Sequence, residues 1–123
     1  MPQDENPKRF DLEDRTYAFA KRARAFVKTL PKTIGNIEDA RQLIRSSGSV
    51  GANYIEANEA LSKKNFVLRI KICRKEAKES RLFLRLIDKG LSKDNVASCE
   101  ALASEARELT LIFSSIISKS GGT

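Results

Sequence analysis

The sequence predicts an all-α protein, an up-down-up-down antiparallel four-helix bundle, on three observations. Four stretches place apolar or small residues at steps of three and four, the spacing that lines one helix face. Short breaks containing Pro, Gly, Asn or Ser separate them. No segment shows the strict apolar and polar alternation of a strand. Connections this short make successive helices antiparallel neighbours, which gives the up-down topology. At 123 residues and 41% hydrophobic content, the chain has material for one domain with a single core. The expected organisation is a flexible tail over residues 1–9, the bundle over 10–119 and a second flexible tail over 120–123.

The first helix is expected from about Leu12 to Leu30. Asp11 suits its N-cap, Glu13 and Asp14 suit the positive end of the helix dipole, and Pro31 ends it. Its seam is Leu12, Thr16, Phe19, Ala23, Phe26 and Leu30. Asn36 is a candidate cap for the second helix, which runs to about Leu61 with Leu43, Ser47, Val50, Tyr54 and Leu61 on one stripe. Arg45, Ser49, Asn53 and Glu56 recur on its opposite side, where Gly48, Gly51 and Ala52 leave room for another backbone. Ser62 caps the third helix, whose seam is Phe66, Ile70, Cys73, Ala77, Ser80, Leu84 and Ile87 before Gly90 stops it. Ser92 caps the fourth, with Cys99, Leu102, Ala106, Leu109, Phe113 and Ile116 on its seam.

Composition removes several function classes. The chain has no histidine, so the commonest general base and the commonest metal ligand are both missing. Its two cysteines, Cys73 and Cys99, lie on apolar stripes and read as buried reduced thiols rather than a disulfide or a zinc set. G-S-V-G at 48–51 falls inside a helical pattern and lacks the Lys-Ser or Lys-Thr of a phosphate loop. No catalytic residue, metal site or cofactor is expected. No run approaches the roughly 18 apolar residues of a membrane span, and the start M-P-Q-D-E-N-P-K-R lacks a signal-peptide apolar region. A cytoplasmic protein with no membrane partner is therefore expected.

The net charge of +7 is unevenly placed. Residues 15–35 carry six cations and no acid, and residues 62–91 carry ten cations against three acids. On the third helix Lys71, Arg74, Lys78, Arg81, Arg85 and Lys89 share one stripe; on the first, Lys21, Arg22, Arg24 and Lys28 form a second cluster. One reading is an electrostatic footprint for the phosphates of RNA or DNA. The other is a solvated helix surface that serves solubility. The first and third helices of such a bundle sit diagonally, so the two clusters need not merge, and no aromatic interleaves the stripe to stack on bases.

Beside its core seam the third helix also carries Leu68, Ile72, Leu82, Phe83 and Leu86. Together with the seam they make an apolar arc wider than the roughly 100° stripe of a helix packed on one side. The flank is either an interface between copies of the chain or a helix buried on two sides within one bundle.

Arg45, Ser49, Val50, Asn53 and Glu56 spell R-x-x-x-S-[VI]-x-x-N-x-x-E. This pattern resembles the signature of the four-helix-bundle family noted among proteins encoded in intervening sequences of 23S ribosomal RNA genes. The likeness extends to L-P at 30–31, to the region of Phe66 and to I-C-R-K-E-A-K-E-S at 72–80, where Glu79 takes the place of a family glutamate. Ala57 stands where family members commonly have glycine, which would let the second helix continue another turn. The resemblance implies a homopentamer. It also implies kinship with the accessory protein of diversity-generating retroelements, which works with a reverse transcriptase and nucleic acid. The combined expectation is a non-enzymatic, oligomeric adaptor that associates with nucleic acid; the alternative is a structural or protein-interaction module with no nucleic-acid role.

Overall fold

In the computed structural model, which describes residues 7–121, the chain forms α1 (Pro7–Val27), α2 (Ile34–Asn58), α3 (Lys63–Leu86) and α4 (Lys93–Lys119), with no strand among the described residues. Residues 1–6 of the expected first tail and 122–123 of the second lie outside the described residues, whereas 7–9 belong to α1. Asp11 is accordingly inside the helix and not at its N-cap.

The remaining helix ends follow local hydrogen-bonding chemistry. The α1 helix stops at Val27, earlier than Pro31 requires, and the chain turns tightly there, with the Thr29 N–H and Oγ1 both donating to the Phe26 carbonyl at 3.0 and 2.7 Å. The cap of α2 is Thr33, whose hydroxyl accepts the Asn36 N–H at 3.1 Å. Asn36 is thus not the cap. Its side chain is buried at the join of two connections, where Nδ2 donates to the carbonyls of Pro31 at 2.9 Å and Asp88 at 2.8 Å. Its Oδ1 accepts the Asp88 N–H at 2.9 Å, so one amide pins both loops at this end of the bundle. Ser62 and Ser92 cap α3 and α4 as the sequence predicts, each accepting a backbone N–H three residues on at 3.1 Å.

Two expected ends shift. The α2 helix finishes at Asn58, so Ala57 does not carry it another turn, and Leu61 falls in the connection, where it is 99% exposed and outside the stripe. The α3 helix finishes at Leu86, before Gly90. Gly90 has a φ of +70°, and a Cβ on it would lie 3.2 Å from the Pro31 ring, so both backbone conformation and space call for glycine.

Side-chain pairings give the topology. Ser46 meets Ser80 and Val50 meets Cys73, so α2 and α3 are antiparallel. Arg74 meets Ser114 and Leu84 meets Cys99, so α3 and α4 are too. Among the described residues the α1 backbone runs beside α2 and α4 and not beside α3, and α2 and α4 meet only through side chains across the centre. Neighbours in sequence are neighbours in space, and the chain closes as an up-down-up-down bundle. The centre is filled by Phe19, Leu43, Ile70, Leu84, Leu109 and Phe113, all fully buried, with the Tyr54 and Phe113 rings 6.3 Å apart across it. The α4 seam ends on buried Ile117 rather than Ile116, because a four-residue step from Phe113 keeps pace with 3.6 residues per turn. Gly48 and Gly51 do admit a neighbour, but it is α1 of the same chain: a Cβ on Gly51 would lie 3.3 Å from Thr16 Oγ1.

Candidate functional site

The motif residues of α2 assemble on its α3 side. Arg45 reaches across to two glutamates one turn apart, with Nη1 3.4 Å from Glu76 Oε1 and Nη2 3.1 Å from Glu79 Oε1. Asn53 donates to the Ser49 hydroxyl at 3.0 Å and accepts from Arg69 Nη1 at 3.1 Å. Beneath this layer the buried hydroxyls of Ser46 and Ser80 bond each other at 2.8 Å, and Ser80 also donates to the Glu76 carbonyl at 2.9 Å. Small side chains permit the closeness of the two helices and hydrogen bonds satisfy the polar groups that it buries. Glu56 is the exception, lying exposed with no side-chain partner among the described residues. Sequence reasoning missed Glu76 and Arg69. The one signal for Glu76 was its position three residues before Glu79, on the same face.

The cysteines belong to this interior. Both are free and buried, with Cys73 Sγ 3.4 Å from the Val50 carbonyl and Cys99 Sγ 3.1 Å from that of Leu84. Burial pushes the Cys73 thiol up to about 12, against small opposing contributions from its own backbone hydrogen bond and from Arg69. Cys99 is raised in the same way. Neither thiol is poised as a nucleophile. Among the described residues no group of three or more His, Cys, Asp or Glu is placed to hold a metal ion.

The opposite flank of α3 differs. Lys71, Arg74, Lys78, Arg81 and Arg85 follow one another along the side facing solvent and α4, and none of the five forms an ion pair among the described residues. Arg74 donates to Ser114 Oγ on α4 at 3.4 Å. Lys71, Arg74, Lys75 and Lys78 line one surface hollow with Glu79 and Leu82. A second, sharing Lys78 and Leu82, adds Arg81, Arg85, Arg107 and Thr110. Lys89 is not part of the helical row. Because α3 ends at Leu86, Lys89 lies in the connection and its Nζ donates to the Ile87 carbonyl at 3.3 Å. Arg107 was missed because residues 92–123 are net acidic, which hid a single cation on the α4 row that also carries Thr110 and Ser114.

The α1 cations form a separate surface. Lys21, Arg22, Arg24 and Lys28 are exposed, with Lys21 over the Tyr17 ring, Arg24 Nη1 donating to the Ala20 carbonyl at 3.2 Å, and Lys28 just beyond the helix end. Since α1 and α3 are diagonal, the two basic surfaces stay apart. Of the apolar flank, Leu68, Leu82 and Leu86 are 53%, 48% and 57% exposed, Ile72 is half-buried, and Phe83 is half-buried against the core. Leu82 also lines both hollows, so the flank and the basic row share a border.

No helix among the described residues is long and apolar enough to cross a membrane. The comparison with curated proteins found no match. A crystal structure of a protein of unknown function from the S23 ribosomal protein family of Bacteroides thetaiotaomicron VPI-5482 is similar, with a TM-score of 0.76 and 26% identity. The likeness covers 90% of this chain and 98% of that one. The family model for 23S rRNA-intervening sequence proteins matches residues 8–113, which takes in α2 and α3 whole, most of α1 and α4, both basic clusters and the α2 motif. The chain belongs to the 23S rRNA-intervening sequence protein family.

Proposed function

We propose that the protein is a non-enzymatic, self-associating helical adaptor of the cytoplasm that holds nucleic acid through its basic helix surfaces. The observation that carries this reading is the α3 row from Lys71 to Arg85, five cations without an acid partner among the described residues. Two arginines elsewhere are paired across helices, Arg15 with Glu105 at 2.8 Å and Arg45 with Glu79 at 3.1 Å. Cations left unpaired in a row attract a polyanion, and phosphate contacts hold any sequence alike. The α1 cluster, on the far side of the bundle, supplies a second and separate contact.

Self-association rests on the outward Leu68, Leu82 and Leu86. Five copies is the number the family resemblance implies, and symmetry would repeat each basic row around the ring, so that weak contacts act together. A reverse transcriptase or other protein is the partner that the family resemblance implies. The same leucines favour the second reading, a protein-interaction module whose cations only keep it soluble.

Fluorescence anisotropy with mixed-sequence RNA and DNA separates the two. Wild type binds both at low salt, and the variant carrying Arg74→Gln, Lys78→Gln, Arg81→Gln and Arg85→Gln binds much more weakly. Equal binding by that variant excludes the adaptor reading. Light scattering tests assembly, with Leu68→Ser and Leu86→Ser expected to reduce the particle toward one chain. Phe83 is unsuitable for that test because it packs against the core.

A further inference from the structure

We propose that the hollow bounded by Lys78, Arg81 and Arg85 of α3 and Arg107 of α4 is the seat of a single backbone phosphate of a bound nucleic-acid strand, with Arg107 closing it. The inference rests on the nucleic-acid reading above and adds a residue and a ligand position to it. Four cations converge on this one hollow, and its remaining walls are Leu82 and Thr110. No carboxylate lines it. Glu79, which lines the adjoining hollow, is held by Arg45 at 3.1 Å on the far side of α3.

The arrangement contrasts with the other side of α4. There Glu105 meets Arg15 of α1 through two bonds of 2.8 and 3.1 Å, an opposite-charge pair joining two helices. Toward α3, Arg107 lines the same hollow as Arg81, which brings like charges from two helices together. All four cations are exposed, so the chain bears them at little cost, and gathered in one place they raise the local attraction for an anion. Guanidinium groups are planar forks matched to phosphate oxygens, and three of them here surround a space with no aromatic wall. The Thr110 hydroxyl already donates to the Ala106 carbonyl at 2.8 Å, which leaves the cations to hold the anion. The seat therefore recognises a phosphate and not a base.

The test uses the full chain with Arg107→Gln, Arg81→Gln, their double variant, and Lys32→Gln as a control of equal charge. Arg107→Gln should weaken RNA and DNA binding about three- to fivefold, as Arg81→Gln does. Neither the single variants nor the double variant should reduce the salt slope by more than roughly 0.9, the contribution of one phosphate. The double variant should lose less than the product of the two, because both grip one phosphate. As a readout free of nucleic acid, tripolyphosphate should raise the melting temperature of wild type and not of the double variant. If Arg107→Gln matches Lys32→Gln in both assays, the seat is refuted while the α3 row survives. If tripolyphosphate stabilises wild type through these arginines but no RNA or DNA binds, the strand as the source of the phosphate is refuted, and the adaptor reading with it.

Discussion

The two flanks of α3 handle charge in opposite ways. Toward α2, Glu76 is 5% exposed and meets Arg45, Asn53 and Arg69 bond across the helices, and Ser46 and Ser80 share a hydrogen bond. Toward α4, Arg81, Arg85 and Arg107 stand around a hollow without an acid. Burial accounts for the difference. Polar groups taken out of water need partners for the bundle to be stable, so the α2 side is satisfied internally. Cations left in water cost little when unpaired, so on the α4 side their arrangement is free to serve something outside the chain. The comparison teaches that residues of a motif need not be the site: Arg45, Ser49 and Asn53 are occupied holding α2 to α3.

Substitution breaks the comparison where the two flanks should respond differently. The largest effect is expected from Ser80→Leu, which forces a large side chain into the close α2–α3 seam and removes the Ser46 bond. It should cost about 2–3 kcal/mol in urea unfolding. Arg45→Ala should follow at about 1–2 kcal/mol, because Glu76 keeps only the Lys75 ammonium at 3.7 Å. Neutralising Arg81 or Arg85 should change stability by less than about 0.5 kcal/mol, whatever it does to binding.

The buried thiol sharpens the same contrast through pH. Below pH 9 Cys73 is protonated in both folded and unfolded chains and its contribution to stability is constant. Above pH 9 the unfolded chain releases that proton while the folded chain keeps it to about 12. Stability should therefore fall as pH rises through this window, and Cys73→Ala should fall less steeply, by up to about 1.4 kcal/mol per pH unit. Parallel denaturation curves for wild type and variant between pH 8 and 11 check this, and identical slopes would contradict it.

Much of the fold was legible in the sequence because helix seams are local. The row Leu12, Thr16, Phe19, Ala23, Phe26 and Leu30 is buried along its whole length, and Ser62 and Ser92 cap their helices. Errors came where a stripe was extended past a helix end, as with Leu61 and Lys89, since periodicity does not mark the residue at which the chain turns away. Asn36, Glu76 and Arg107 share another difficulty. Each acquires its role from a residue on another helix or connection, and that register is set by tertiary packing that no local pattern encodes. On the candidate surface the α3 row was visible from composition, whereas its second wall on α4 was not.

The central claim is that the α3 row carries charge for a partner while the α2 seam carries charge for the fold. The most direct test is the salt dependence of binding to two unrelated RNA sequences, measured for wild type, for Arg45→Ala and for the fourfold Gln variant of Arg74, Lys78, Arg81 and Arg85. Wild type and Arg45→Ala should show the same steep slope of log affinity against log salt on both sequences. The fourfold variant, which removes Arg74 and three of the four cations around the phosphate seat, should be shallower by roughly 0.9 to 1.8. A wild type that binds neither RNA at low salt, or a fourfold variant whose slope matches wild type, would contradict the account.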